Sequence, residues 1–315
     1  MSVQVWSLDD VEVARIEEMV GPMFDPVSFF PDFDPALFAA HADWLEPAHV
    51  APGGRIVSSM HSWLLRLPRA GGGSFHVLVD GCIGDHKDRM PYHRWTDLDS
   101  GWPRRLAAAG VTPEEIDVVL CTHLHVDHVG WNTRREGDRW VPTFPNARYL
   151  FSRAEIDAFR ARRAEAKASD FEAVGDKVWD DSVLPILDAG LADIVDGTHA
   201  VHGERLRMEP TPGHTPGSIS LCLADAADGR DRALFTGDVF HHPVQVVRPD
   251  WNSAFCELPE QARTTRRQLL ERLADTDALL MTAHFATPFA ARVRRTAEAY
   301  GLDFVAPDRV IALPD

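Results

Sequence analysis

The stretch that decides the fold is His123-Leu124-His125-Val126-Asp127-His128-Val129-Gly130. It directly follows residues 116–121, a short apolar run that is typical of a buried strand. His123 and His125 are two residues apart, so in extended chain their imidazoles point to the same side. Imidazole and carboxylate ligands together suit zinc, and other first-row metals less specifically. The stretch therefore predicts a metal-binding loop at the carboxyl end of a strand.

Chance explains this stretch poorly. The chain has 15 histidines and 48 acidic residues among 315. At those frequencies, three histidines and one acid at this spacing arise about 0.005 times per chain, which is a low false-positive rate for a motif. We therefore interpret the stretch as a metal site rather than as a solvated histidine-rich loop.

Three more ligand-type residues follow predicted strands or turns further along the chain. His214 lies in the turn Pro212–Gly217, Asp238 follows Gly237 at the end of an apolar strand, and His284 ends the apolar run 278–282. Each is weak evidence alone, because a Gly-Asp pair is usually a turn and a single histidine is usually satisfied locally. In this order they indicate one shared metal site.

The sequence order H-x-H-x-D-H, a histidine in a G-H-T-x-G turn, a G-D pair and a late histidine resembles the metallo-β-lactamase superfamily. The resemblance implies an α/β fold, a four-layer αββα sandwich, with a two-metal site at one edge of the sheets. It implies two Zn²⁺ per chain, with Fe, Mn or Co as alternatives. The implied ligands are His123, His125 and His214 for the first metal, Asp127, His128 and His284 for the second, and Asp238 as the bridge.

The resemblance also implies a mechanism. A hydroxide shared by the two metals is the nucleophile, one metal polarises the carbonyl or phosphoryl oxygen, and the other receives the leaving alkoxide. Asp127 and Asp238 are then the catalytic carboxylates. Asp127 is expected to hydrogen-bond the hydroxide and to carry a proton later, and Asp238 is expected to fix the metal separation.

Three further segments indicate the branch of the family. Residues 79–84, 129–132 and 140–145 look most like the acyl-homoserine lactonase and methyl parathion hydrolase group. The resemblance therefore implies a hydrolase (EC 3.1) that opens a lactone or cleaves an ester of a small, partly apolar molecule. A phosphotriesterase or arylesterase is the alternative. A β-lactamase and a thioesterase rank below it, as does a non-catalytic metal-binding protein, since structural zinc sites favour closed, cysteine-rich shells.

Charge and composition limit the classes of molecule that the protein is expected to bind. The formal net charge is −16, with 32 basic against 48 acidic residues, and such a surface repels nucleic acid and anionic lipid. No run of about 18 apolar residues predicts a membrane span, and no secretion signal is recognisable. We expect a cytoplasmic protein with a small-molecule ester or lactone as its partner, and with neither nucleic acid nor membrane.

The chain order predicts one hydrolase domain. Residues 1–54 form a strand and an aromatic arm, with a short helix near 35–44, as part of the same domain. Residues 55–315 form the hydrolase domain, with a helical insert near 153–190. Helices are predicted at 154–167, 181–189 and 289–300. The exposed aromatic side chains of the arm need a surface to cover them, either in their own domain or in a second subunit. The resemblance implies a homodimer, which the aromatic arm supports.

The substrate pocket is predicted from aromatic and imidazole side chains that are close in sequence to the metal ligands. The candidates are Trp131, Phe240, His241, Trp251 and Phe285. One of His241 and His242 is also expected to bind either substrate or a carboxylate that supports the metal ligands, and a solvated turn is the alternative.

Overall fold

The computed structural model of the chain describes residues 2–164 and 169–313. Its strands are β1 (Ser2–Leu8), β2 (Val11–Phe24), β3 (Ile56–Pro68), β4 (Ser74–Val79), β5 (Val118–Leu120), β6 (Thr133–Glu136), β7 (Arg139–Pro142), β8 (Arg148–Ser152), β9 (Ala192–Val195), β10 (His199–His202), β11 (Leu206–Pro210), β12 (Ile219–Ala224), β13 (Asp231–Phe235), β14 (Leu279–Met281), β15 (Ala290–Thr296), β16 (Ala299–Val305) and β17 (Arg309–Ala312). Its helices are α1 (Pro26–Phe29), α2 (Pro35–Ala40), α3 (Ala42–Leu45), α4 (Trp102–Ala108), α5 (Arg153–Arg163), α6 (Asp170–Val178), α7 (Leu184–Asp188), α8 (Val244–Val247) and α9 (Pro259–Leu273).

The predicted α/β fold class is confirmed, with two mixed sheets flanked by helices. One sheet has eight strands in the order β17-β1-β2-β3-β4-β5-β8-β9, and the other has seven in the order β10-β11-β12-β13-β14-β15-β16. Strands β6 and β7 form a separate antiparallel pair. None of the helices among the described residues has the length and apolar character that a membrane crossing needs.

The chain divides into two compact units. Unit 1 takes its described residues from Met1–Glu18, Met60–Gly197 and Pro307–Asp315, and unit 2 takes them from Met19–Ser59 and Thr198–Ala306. The predicted boundary between an arm at 1–54 and a hydrolase domain at 55–315 stays a prediction.

In unit 1, strand β5 explains the apolar run before the histidine-rich stretch. All three of its residues are buried. It pairs in parallel with β4 on one side and with β8 on the other. A strand covered in this way reads as a continuous apolar run. Because β4 and β5 are parallel, Asp80 and His123 leave the sheet at the same edge.

In unit 2, the parallel strands β13 and β14 also bring two ligand-type residues to the same edge of a sheet. Phe235 and Met281 face each other in its register, and Asp238 and His284 each follow three residues later. Helix α9 covers this sheet with Leu269, Leu270 and Leu273, which belong to one buried apolar cluster with strand residues such as Leu234 and Leu280. The rigid pair therefore delivers one carboxylate and one imidazole to neighbouring positions.

The predicted helix at 289–300 is wrong, because these residues form most of the β15–β16 hairpin. Alanine and arginine favour a helix by propensity. However, Ala291 and Val293 are buried while Arg292 and Arg294 are exposed, which is the two-residue period of a strand. The open edge of β14 pairs with β15, so tertiary pairing overrides the local preference.

The arm and the insert follow the prediction more closely. The predicted helix near 35–44 is two short helices, α2 and α3, and α1 precedes them. Helix α5 ends at Arg163, and the predicted continuation through 165–167 lies outside the described residues. The predicted helix at 181–189 is a π-helical turn, Trp179–Val183, followed by α7.

Candidate metal centre

Unit 1 contributes four of the predicted ligands from the loop after β5. His123, His125 and His128 are buried, and 12% of the Asp127 side chain is exposed. The ring centroids of His123 and His125 are 4.5 Å apart, and those of His123 and His128 are 4.0 Å apart. The loop therefore gathers three imidazoles and one carboxylate within a few ångströms, as the spacing predicts.

The imidazole of His128 is oriented by Asp80, a residue that the sequence analysis did not single out as functional. Nδ1 of His128 donates to Oδ2 of Asp80 at 2.8 Å. Asp80 also accepts from the backbone N of Thr122 at 2.7 Å and from its hydroxyl at 2.8 Å. Because Nδ1 is a donor here, Nε2 is the nitrogen that His128 presents for a metal. The one feature of the sequence that could have indicated Asp80 was its position directly after strand β4.

The same hydroxyl sets the tautomer of His123. Since Thr122 Oγ1 donates its hydrogen to Asp80, it accepts from Nδ1 of His123 at 3.2 Å. The buried side chain of Glu155, in the first turn of α5, accepts from the backbone N of Leu124 at 3.1 Å. The insert thus begins with a residue that holds the loop between His123 and His125.

In unit 2, His214 lies in a turn that requires glycine before it. Gly213 has φ +142°, and a Cβ there would lie 2.4 Å from the backbone of Ala262 in helix α9. The turn is held by Glu257, whose backbone N donates to the carbonyl of His214 at 2.8 Å. A close approach of helix and turn therefore places this imidazole.

Asp238 is the centre of the unit 2 group. Nε2 of His284 lies 3.0 Å from Asp238 Oδ1, and Nε2 of His214 lies 3.3 Å from Oδ2. Nδ1 of His284 is turned away and hydrogen-bonds the carbonyl of Ser59 at 2.9 Å. Nε2 of His284 and of His214 therefore both face the same buried carboxylate, as in a metal site.

His241 is a further member of this group. Its Nε2 lies 3.3 Å from Asp238 Oδ2, and its ring stacks on His284 at 5.6 Å. Its backbone N donates to Oε1 of Gln245 at 2.7 Å. Burial lowers the pKa of His241, against the opposing effect of Asp238, so we expect a neutral imidazole at this position. The structure places His241 against the Asp238 carboxylate, and its role in binding substrate or a supporting carboxylate stays a prediction.

The donor set fits a first-row metal. Side chains able to hold a metal are present in both units, namely His123, His125, Asp127 and His128 in unit 1 and His214, Asp238 and His284 in unit 2. They are buried or nearly so, and they consist of imidazoles and carboxylates without a thiolate. Nitrogen and oxygen donors of this kind suit Zn²⁺ and also Fe, Mn and Co.

The other predicted substrate-binding residues pack in apolar surroundings. Phe240 and Phe285 are fully buried in the cluster under helix α9. Trp251 is buried beside Phe30, with ring centroids 5.5 Å apart. Trp131 stacks on Trp102 at 5.1 Å in unit 1. Substrate contact by these four side chains stays a prediction.

Aromatic side chains of the arm lie beside His241 in unit 2. The ring of Phe29 is 5.7 Å from that of His241. Phe24 and Phe255, both partly buried, lie 4.7 and 5.8 Å from Phe29. Aromatic side chains of the arm therefore pack within unit 2, and together with Phe255 they form an apolar surface next to the imidazole that contacts Asp238.

Comparison with known proteins shows what this chain is similar to. A sequence model of the Metallo-beta-lactamase superfamily matches residues 58–284. An N-acyl homoserine lactonase AttM from Rhizobium radiobacter is 32% identical over 160 residues, and one from Azorhizobium caulinodans is 26% identical over 160 residues. Each match covers 47% of this chain and 55% of the relative, so the chain spans about half the length of the curated relatives it matches.

Solved structures share the fold over nearly the whole chain. The hydrolase AbOPH, in the beta lactamase superfamily, aligns with a TM-score of 0.78 at 20% identity, covering 98% of this chain and 99% of that one. AidC, a dizinc quorum-quenching lactonase in complex with an N-acyl-L-homoserine product, aligns with a TM-score of 0.76 at 18% identity, with the same coverage. At these identities the likeness establishes the fold alone.

Proposed function

Because the chain belongs to the metallo-beta-lactamase superfamily, we propose that it opens the lactone ring of N-acyl homoserine lactones or of closely similar small esters. At the coarser level it is a lactonase-like, metal-dependent hydrolase with His/Asp metal-binding groups. The observation that carries the proposal is the complete donor set, five imidazoles and two carboxylates, in a chain related to lactonases. The ester alternative shares the same chemistry.

The donors would hold two Zn²⁺ ions, or Fe, Mn or Co. His123, His125 and His214 would serve one ion, Asp127, His128 and His284 the other, and Asp238 both. When bound, such a pair lowers the pKa of water and polarises a carbonyl oxygen.

The protein's own side chains would orient the metal-binding imidazoles and transfer the proton of the reaction. Asp80 and Thr122 keep His128 and His123 as Nδ1–H tautomers, so that both imidazoles present Nε2. Asp127, the most exposed of the seven donors, would take the proton of the attacking water on its carboxylate. It would then return that proton to the alkoxide that leaves when the lactone opens.

The apolar part of the substrate would lie against the arm. His241 contacts both Asp238 and Phe29. The apolar surface formed by Phe24, Phe29 and Phe255 would therefore begin next to the lactone or ester group of the substrate. An acyl chain placed there would bury apolar surface, worth about 0.8 kcal/mol for each CH₂ group.

The test combines metal analysis with a substrate panel. Purified protein is analysed for metal and then assayed on acyl-homoserine lactones of increasing chain length, aryl esters, phosphotriesters, thioesters and a chromogenic cephalosporin. We expect lactones to be hydrolysed fastest, with activity lost to a chelator and restored by Zn²⁺. Asp127→Asn should lower kcat about 10²- to 10⁴-fold, whereas the exposed Asp157→Asn should not.

Two other results of this substrate panel would contradict the proposal. Faster hydrolysis of phosphotriesters or aryl esters than of lactones would replace the proposal by the alternative. A folded, metal-loaded protein with no activity on the panel would favour a non-catalytic metal-binding role and overturn the proposal.

A further inference from the structure

Glu18 is a buried carboxylate in unit 1 that the mechanism above does not use. It lies in strand β2, with 4% of the residue exposed. Its oxygens accept three hydrogen bonds, from the backbone N of Ile83 at 2.9 Å, the backbone N of Gly84 at 3.0 Å and Nε1 of Trp131 at 2.9 Å. Burial raises the pKa of Glu18 to about 7, and the three hydrogen bonds oppose that rise.

The three donors belong to two segments that run beside each other. Residues 80–84 follow strand β4, and residues 128–131 end the histidine-rich stretch. They are joined by backbone hydrogen bonds from Gly81 N to His128 O at 2.6 Å, from Trp131 N to Gly81 O at 2.6 Å and from Gly130 N to Cys82 O at 2.8 Å. Glu18 binds the first segment through its backbone and the second through an indole.

The two segments touch so closely that their register has little freedom. A Cβ on Gly130 would lie 1.8 Å from the carbonyl oxygen of Ile83. One segment carries Asp80 and the other carries His128, whose hydrogen bond is 2.8 Å. A small slip between the segments would therefore lengthen the bond that orients the imidazole.

We propose that Glu18 is a positioning residue of the metal centre: its carboxylate fixes residues 80–84 against residues 128–131, and so fixes the Asp80–His128 pair. The inference rests on the proposed function, since it takes His128 as a metal ligand. Both carboxylate oxygens are needed, because Oε1 accepts from Gly84 and Trp131 while Oε2 accepts from Ile83. A neutral amide offers only one acceptor and turns an NH₂ group toward an N–H.

The experiment measures zinc binding rather than turnover. Zn²⁺ affinity of wild type, Glu18→Gln and Glu12→Gln is measured by competition with a chromophoric chelator at fixed pH. Outer partners of metal ligands typically contribute about 10- to 100-fold in affinity, so we expect Glu18→Gln to weaken one of two zinc ions by that factor and to leave the other unchanged. Glu12 is in the same strand, is half-exposed and pairs with Arg66, so Glu12→Gln should match wild type.

The outcomes separate this inference from the proposed function. A folded Glu18→Gln protein that binds both zinc ions as tightly as wild type would overturn the positioning role alone. Wild type that binds no zinc would overturn the proposed function, and this inference with it. If Glu18→Gln does not fold, Trp131→Phe decides, since it keeps an aromatic ring against Trp102 and removes only the indole donor. We expect a smaller loss at the same zinc ion, and unchanged binding would overturn the proposal.

Discussion

The orientation of His128 depends on one hydrogen bond to Asp80. Asp80 sits at φ +61°, directly after strand β4. Its carboxylate also accepts hydrogen bonds from the backbone N and the hydroxyl of Thr122. At the scale of single residues, the orientation of a candidate ligand therefore depends on a carboxylate 48 positions away in sequence.

We predict that Asp80→Asn weakens zinc binding about 10- to 100-fold, because the amide offers one acceptor where the carboxylate offers two. Chelator competition measures the change. Asp157→Asn, at an exposed carboxylate of helix α5, is the matched control and should leave the affinity unchanged. Wild-type affinity in folded Asp80→Asn would contradict the orienting role.

Asp238→Ala should lose at least one metal ion per chain. Nε2 of His214 and of His284 each lie within 3.3 Å of this carboxylate, and alanine removes the negative charge between them. Elemental analysis of the purified variant measures the loss, with Asp157→Asn again as control. Full retention of both ions would refute the assignment of Asp238 as a shared ligand.

The side chains able to hold a metal could be found from sequence because their chemistry is unusual and their spacing is short or follows a strand end. The roles of Glu18, Asp80 and Glu155 could not be predicted from sequence. Each acts through a backbone or ring N–H that is distant in sequence, and a lone buried acid has no pattern of its own.

Among the elements, the helical insert packs on the rest of unit 1 with a buried acid in its π-helical turn. Asp181, in the π-helical turn, accepts from Arg89 at 2.6 and 2.9 Å, and Nζ of Lys87 lies 3.4 Å from it. Nζ of Lys87 also lies 3.7 Å from the centre of the Trp140 ring. Burial lowers the pKa of Lys87 to about 7, although Asp181 opposes that effect.

We predict that Asp181→Ala destabilises the protein by about 3–5 kcal/mol, because it leaves two buried cations without their carboxylate. Urea unfolding measures the change in the free energy of unfolding. Asp188→Ala, at an exposed position of the same insert, should change it by less than about 0.5 kcal/mol. Equal effects of the two variants would show that Asp181 has no special role.

Element prediction succeeded where burial and propensity agree and failed where they oppose. The apolar runs before the histidine-rich stretch, before Asp238 and before His284 were anticipated, and they form β5, β13 and β14. The β15–β16 hairpin was missed, because its arginine and alanine residues favour a helix while its neighbour β14 requires a strand partner. Composition alone does not reveal such a partner.

For the whole molecule, stability should fall in mild acid because two buried histidines stay neutral. Burial lowers the pKa of His49 to about 4 and that of His242 to about 3. The unfolded chain takes up these protons near pH 6.5, so their contribution is complete above that pH and is lost as pH falls towards 4. For His49 the full shift corresponds to about 3 kcal/mol.

His242→Gln removes one of these groups, so the loss of unfolding free energy between pH 7 and pH 4.5 should be smaller than in wild type. Glutamine can still donate to the carbonyl of His49, as Nε2 of His242 does at 3.1 Å. Urea titrations at several pH values measure the slope. His86→Gln, at an exposed histidine, is the control, and an unchanged slope in His242→Gln would contradict the prediction.

At this scale the sequence predicted the superfamily and the fold class but not the division into two units, since both units are built from separate parts of the chain. No short motif encodes which distant segments pack together. The substrate, the native metal, the homodimer and the cytoplasmic location stay predictions.

The pairing of β1 with β17 has a consequence for synthesis on the ribosome. Ser7 is synthesised 301 residues before Asp308, which accepts from its backbone N at 2.7 Å, and Arg309–Ala312 covers the outer side of β1. The nascent polypeptide must therefore keep that strand's outer backbone groups without their final partner while the intervening residues are made. Residues 198–306, most of unit 2, are made in that interval, so this sheet contact of unit 1 can form only after most of unit 2 has been synthesised.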